Sequence, residues 1–152
     1  NWSDVQIHVL SHGLHYASCV FEGERVYNGE IFKLEEHTER LFHSASRMGF
    51  QIPYKKELLN KATKDIVAIQ KIKNGYVRPV VWRGSEMMAI SAQQTKINVA
   101  IAAWEWGPYY DINKGIRLNI SKWRRPAPDT IPWDTKASGL YMICTLSKHE
   151  AE

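Results

Sequence analysis

The sequence holds only two cysteines, six prolines and nine glycines in 152 residues. Cys19 and Cys144 lie far apart and form no CxxC pair, so a reducing, cytoplasmic setting is the expectation. So little Gly and Pro excludes a collagen-like or low-complexity chain. No stretch approaches the roughly eighteen uncharged apolar residues that a membrane-spanning helix requires. No basic–apolar–small leader opens the 152 residues either. Charge of one sign is also scarce: 20 Lys and Arg against 16 Asp and Glu leave +4, too mild to demand a polyanionic partner. What is abundant is apolar and aromatic. Hydrophobic residues make up 44%, including six Trp, seven Tyr and four Phe, which excludes a disordered chain and suffices for one ordinary core.

Patterning changes along the chain. Ser3 to Leu10 alternates Val5, Ile7 and Val9 with Gln6 and His8, which predicts a strand. A second strand-like run, Cys19 to Tyr27, meets Asn28-Gly29 and then Glu30-Ile31-Phe32. Asn-Gly between apolar runs predicts a hairpin, because both turn positions need positive φ. Leu34, Thr38, Leu41, Ala45 and Met48 then recur at helical spacing, with Gly49 at the left-handed C-terminal position and Pro53 beyond it. A second helix is predicted from about Lys55 to Lys73, stopping near Asn74-Gly75. Strands follow at Tyr76 to Trp82, Ile97 to Trp104 and Ile116 to Ile120. Three prolines between Pro126 and Pro132 force an extended loop. Beyond it, Leu140, Ile143, Cys144 and Ser147 predict a helix still running at Glu152. This order argues α+β: a mostly antiparallel sheet with two consecutive helices on one side. A start without Met and a helix uncapped at Glu152 lead us to expect a fragment.

Several side chains could carry chemistry. Lys136 follows the proline-rich loop and precedes Ala137-Ser138-Gly139, small residues that let a ligand approach. It is either a solvated lysine at a helix start or a nucleophile, which would need desolvation or a nearby cation. Trp133 could supply an apolar wall, whereas Asp134 would push its pKa the wrong way. Arg40 lies four residues after Glu36, so an ordinary helical ion pair competes with a phosphate clamp. Tyr76 and Arg78 share one face of a strand and could converge on a carboxylate; pairing of an edge-strand arginine with a surface acid is the alternative. His12 and His15 lack a third ligand nearby, and His149-Glu150 lacks a zincin's second histidine, so no metal is expected. Lys122-Trp123-Arg124-Arg125 is too short to argue for nucleic acid without a recognition module. Both cysteines read as buried small residues.

Seven ordered segments together resemble the branched-chain amino acid aminotransferases, within the fold-type IV pyridoxal-phosphate enzymes. They are Ser11-His12-Gly13-Leu14-His15-Tyr16, Val20-Phe21-Glu22-Gly23-Glu24-Arg25-Val26-Tyr27, Glu36-His37 with Arg40-Leu41, and Tyr76-Val77-Arg78-Pro79. Ala102-Ala103-Trp104-Glu105-Trp106-Gly107, Ser121-Lys122-Trp123-Arg124-Arg125 and Lys136-Ala137-Ser138-Gly139-Leu140-Tyr141 complete the set. The resemblance implies pyridoxal 5'-phosphate as cofactor and transamination between Leu, Ile or Val and 2-oxoglutarate. Lys136 then matches the catalytic lysine that forms the Schiff base, Arg40 the phosphate-binding arginine, and Tyr141 the tyrosine near the cofactor's 3-oxygen. Tyr16, Phe21, Tyr76 and Tyr109 resemble the walls of the side-chain pocket, with Arg25 and Arg78 its polar elements. The loop from Gly84 to Ile90 resembles one that reaches into a neighbouring subunit's site, so a homodimer is implied.

The same resemblance implies residues 1–122 as a small N-terminal α+β domain, 123–133 as an interdomain loop and 134–152 as the start of a second domain. The glutamate facing the pyridine nitrogen would come from a second half, so the fragment alone is expected to be inactive. Departures from the family pattern are Trp133-Asp134-Thr135 before Lys136, Leu140 for a common Asn, Ala17 for Gly, and Glu24 where an aliphatic residue is frequent. Sister activities on this fold are D-amino acid aminotransferases, aminodeoxychorismate lyases and R-selective amine transaminases. A noncatalytic basic binding module is the reading from another class.

Overall fold

The computed structural model describes residues 2–152. Its chain forms a short helix α1 (His12–Tyr16), strands β1 (Cys19–Phe21), β2 (Glu24–Tyr27) and β3 (Glu30–Ile31), and helices α2 (Leu34–Arg47) and α3 (Lys56–Ile69). Strands β4 (Gly75–Arg83) and β5 (Ile97–Glu105) follow, then a 3-10 turn (Ser138–Tyr141) and helix α4 (Met142–Ala151). The architecture is the α+β one expected, with an antiparallel five-stranded sheet.

Strand β4 organises the sheet. β5 pairs with it along its whole length, from Gly75 opposite Glu105 to Arg83 opposite Ile97. β1 and β2 lie end to end along its other side, with Phe21 opposite Val80 and Glu24 opposite Val77. The predicted Cys19–Tyr27 run is therefore two strands, interrupted at Glu22-Gly23. The cause is Pro79: its carbonyl accepts from the Glu22 N–H at 2.9 Å, but it has no N–H to return. Asn28-Gly29 makes the hairpin turn into β3, with φ of +52° and +85°.

Alternation along β4 gives the sheet two different faces. Val77 and Val81 point with Val20, Val26 and Ala103 toward Leu41, Ala45, Leu59 and Val67, so both long helices cover this side. Tyr76 and Arg78 point the other way. α2 closes at Gly49 (φ +75°), with Phe50 N–H donating to Ala45 O at 3.1 Å. α3 ends earlier than predicted because Lys71 adopts φ +55° and Ile72 folds back, its N–H donating to Val67 O at 3.1 Å.

Two predicted strands are absent. Val5, Ile7 and Val9 are more than half exposed in an irregular segment, and residues 116–120 are irregular, with Leu118 and Ile120 almost fully exposed. Among the described residues neither segment has a strand beside it to satisfy its backbone groups. Cys144 is exposed rather than buried, and Cys19 is half-buried. No helix is long and apolar enough to cross a membrane, and no cluster of metal-ligating side chains occurs among the described residues.

Candidate active site

The sheet face opposite the helices collects the aromatic and basic side chains. Phe21 from β1 sits at its centre, and Arg78 from β4 lies over the ring at 4.4 Å from the centroid. Arg78 also donates to the Tyr76 hydroxyl at 2.8 Å. Arg25, opposite Tyr76 in the ladder, donates to the Trp106 carbonyl at 3.0 Å and lies 5.4 Å from the Tyr109 ring centroid. Trp104 and Trp106 extend the aromatic surface, each about 5 Å from Tyr76. Burial raises the Tyr76 hydroxyl above the usual phenol range, against the lowering pull of Arg78.

Lys136 enters this face from the far end of the chain. Its backbone is tacked on both sides: its N–H donates to Ser44 Oγ of α2 at 2.9 Å, and its carbonyl accepts from the Phe21 N–H at 3.1 Å. Ala137 forms a bridge to Val20, and its small side chain is buried there. The amine then lies 4.6 Å from the Phe21 ring centroid and 4.8 Å from that of Tyr141, and it donates to the Tyr141 hydroxyl at 2.8 Å. The apolar wall is therefore Phe21 and Tyr141, not Trp133, which stands half-exposed. Asp134 is engaged elsewhere, accepting from His43 at 3.1 Å and Arg47 at 3.3 Å.

Arg40 does not make the helical ion pair that its spacing from Glu36 suggests, because Glu36 pairs with Lys33. Arg40 instead reaches Glu22, in the break between β1 and β2, through Nε at 2.5 Å and Nη2 at 2.8 Å. Glu22 is fully buried and also accepts from His37 Nδ1 at 2.8 Å and the Gly23 N–H at 3.2 Å. Burial alone would raise the Glu22 carboxyl, but these bonds and the Arg40 charge hold it below the usual carboxylate range. The Glu22 bonds in turn strengthen protonation of Arg40, with a smaller contribution from nearby Tyr141.

The structure thus joins Lys136, Tyr141, Phe21, Arg78 and Tyr76 in one chain of contacts, with Arg25 and Tyr109 beside it. Tyr16 takes a different place, its ring 4.6 Å from that of His12 on α1. His12 and His15 hold no ligand pair: His12 is buried between Ser18 Oγ and the Ala89 carbonyl, and His15 bonds the Val9 carbonyl. Arg83 clamps backbone, donating to Ala92 O at 2.7 Å and Gly49 O at 2.8 Å. Neither it nor Arg78 pairs with a surface acid among the described residues, and β4 is no edge strand. Glu22, His37 and Gly23 were missed as contributors from sequence. Glu22 and Arg40 are 18 residues apart, beyond any helical spacing rule.

Gly23 is required by close approach. A Cβ there would stand 1.9 Å from the Tyr76 hydroxyl oxygen. Gly23→Ala should therefore displace the buried Tyr76 ring, break its bond to Arg78 and cost about 1–3 kcal/mol. Chemical denaturation measures this, and an unchanged midpoint would show that the ring moves freely.

Comparison with known proteins places the chain in a family. The family model described as Amino-transferase class IV matches residues 19–152. A Rickettsia conorii protein described as "Probable branched-chain-amino-acid aminotransferase" is 42% identical over 147 residues, 97% of this chain and 50% of that protein. The branched-chain-amino-acid aminotransferase of Pseudomonas aeruginosa is 40% identical over 157 residues, 99% of this chain and 51% of that protein. The crystal structure of a T.th. branched-chain amino acid aminotransferase with pyridoxamine 5'-phosphate superposes with a TM-score of 0.91 at 36% identity. The match covers 98% of this chain and 52% of that one. The chain spans about half the length of the curated relatives it matches.

Proposed function

The chain belongs to the class IV aminotransferases, and from that membership we propose that it carries the lysine-bearing half of a pyridoxal 5'-phosphate-dependent branched-chain aminotransferase. The observation that carries this reading is the amine of Lys136, held at 2.8 Å from the Tyr141 hydroxyl and flanked by two aromatic rings on an arginine-rich sheet face. The donor set fits the cofactor: a primary amine for its aldehyde, a phenol beside that amine, and an arginine for its phosphate. Lys136, Tyr141 and Arg40 would hold it. When bound, it supplies an electrophilic carbon and a ring that withdraws electrons from the substrate's Cα–H bond.

The protein's own work is proton handling and orientation. As an ammonium, Lys136 is stabilised by the Phe21 and Tyr141 ring faces and donates to the phenol oxygen. As a free amine, it can accept from the same phenol O–H. Tyr141 therefore partners Lys136 in both protonation states, as a residue that alternately takes and returns a proton requires. Phe21, Tyr76, Trp104 and Tyr109 offer an aromatic surface to a branched aliphatic side chain. Arg78 and Arg25 offer cations to the second carboxylate of glutamate or 2-oxoglutarate. We read residues 1–122 as the small domain, 123–133 as the connection and 134–152 as the start of a second domain. A second copy of the protein would receive the loop from Gly84 to Ile90, in which Ile90 is 86% exposed.

Amino-group transfer by the full-length protein tests the reading. L-Leucine, L-isoleucine and L-valine should each convert 2-oxoglutarate to glutamate, and D-alanine should be at least about a hundredfold poorer. Turnover of D-alanine without L-leucine would replace this reading with a D-specific one.

A further inference from the structure

We propose that Glu22 is the positioning residue of the phosphate site: its carboxylate docks the Nε edge of Arg40 and leaves the outer nitrogen, Nη1, to meet an anion. The inference rests on reading Arg40 as the phosphate contact and adds what fixes it in place.

A fully buried carboxylate is costly unless its oxygens are bonded and its charge is met. Glu22 meets both conditions through four donors. Two come from Arg40, one from His37 and one from the Gly23 backbone. His37 and Arg40 are three apart on α2, so a single turn of helix delivers both to the same carboxylate. Glu22 lies between Phe21 and Glu24 in an unshifted register, opposite Pro79, and strand alternation turns its side chain toward α2.

The geometry of the pair decides what Arg40 can still do. A guanidinium has five N–H donors in a rigid fork. Nε–H and one Nη2–H are committed to Glu22, while Nη1 donates to nothing among the described residues. The Arg40 side chain is half-exposed although its partner is fully buried. It is therefore clamped at one edge and open at the other, so a phosphate meets a donor already oriented. Because Glu22 offsets much of the Arg40 charge, directed hydrogen bonds should matter more than net charge. A lysine at position 40 could not dock on Glu22 and reach outward at once.

The experiment compares binding of pyridoxal 5'-phosphate with binding of pyridoxal, which lacks the phosphate, by equilibrium dialysis on the full-length protein. The preference for the phosphorylated form should fall about tenfold or more in Glu22→Gln, with pyridoxal affinity unchanged. It should fall at least as far in Arg40→Ala and in Arg40→Lys, and Glu22→Gln combined with Arg40→Ala should lose no more than Arg40→Ala alone. If Arg40→Ala lowers the preference and Glu22→Gln does not, Glu22 is a structural staple and the proposal fails alone. If Arg40→Ala leaves the preference intact, the phosphate reading of Arg40 fails, and this proposal with it. Should Glu22→Gln not fold, Glu22→Asp keeps the buried anion but draws Arg40 inward. A smaller fall is then expected, and an unchanged preference overturns the proposal.

Discussion

Replacing Lys136 with alanine should abolish amino-group transfer by the full-length protein, with a loss of at least ~1,000-fold. Alanine removes the amine that, on this face, can both form a covalent bond to the cofactor's aldehyde and carry a proton. Lys136→Arg should fare no better, because a guanidinium stays protonated at any working pH and cannot accept a proton. Tyr141→Phe is the more informative companion. It keeps the ring beside the amine and removes only the hydroxyl that bonds Nζ at 2.8 Å, so a loss of about ten- to a hundredfold is expected. Cofactor binding should persist weakly in Lys136→Ala, since Arg40 and its Glu22 clamp remain. A second readout is independent of turnover. Borohydride treatment of the loaded protein should attach the cofactor to the peptide containing Lys136. Attachment to another lysine would sink the assignment, as would an active Lys136→Ala.

The residues around Lys136 show which parts of a site local sequence can reveal. The two long helices and the Asn28-Gly29 hairpin were legible because their causes are local: 3.6-residue spacing, and two adjacent positions with positive φ. Strand alternation is a weaker signal because it describes side chains and not hydrogen-bond partners. Val5, Ile7 and Val9 alternate as well as any true strand does, yet no strand lies alongside them among the described residues. Residues 116–120 failed in the same way. The i,i+4 spacing of Glu36 and Arg40 was a sound local expectation that lost to a better partner. A fully buried carboxylate must be met, whereas an exposed helical pair contributes only a few tenths of a kcal/mol. Cys19–Tyr27 read as one strand because the cause of its interruption, Pro79, lies more than fifty residues away. For Lys136, the local alternatives stayed open because only Tyr141 is a local neighbour, closing the 3-10 turn after it, whereas Phe21 reaches the amine from β1 at the other end of the chain through tertiary packing.

Glu24, marked in the sequence only as a departure from an aliphatic position, should make the protein lose stability as pH rises from 4.5 to 8. Its side chain is fully buried, and neither carboxyl oxygen has a hydrogen-bond partner among the described residues. It stands opposite Val77 and on the face of Val26, where the sheet meets the helices. Burial, with the neighbouring Glu22 charge adding to it, pushes the carboxyl up to about 8. In the unfolded chain the group ionises near its ordinary value of 4.5. A folded pKa above the unfolded one means that the stabilising contribution is complete below pH 4.5 and lost as pH climbs to about 8. The slope is about 1.4 kcal/mol per pH unit, so the loss by pH 9 is on the order of 4–5 kcal/mol. Glu22 carries the opposite sign. Its depressed carboxyl stabilises the fold above its ordinary range, and that contribution is lost as pH falls through the lowered value. Two carboxyls two residues apart thus confine maximum stability to mildly acidic pH. Glu24→Leu removes one side of this window. It should leave the acid limb intact, flatten the limb between pH 5 and 8, and raise stability at pH 8 by roughly 2–4 kcal/mol. Denaturant midpoints of the two proteins from pH 4 to 9 provide the measurement, and parallel curves would mean that Glu24 finds a partner or water in solution.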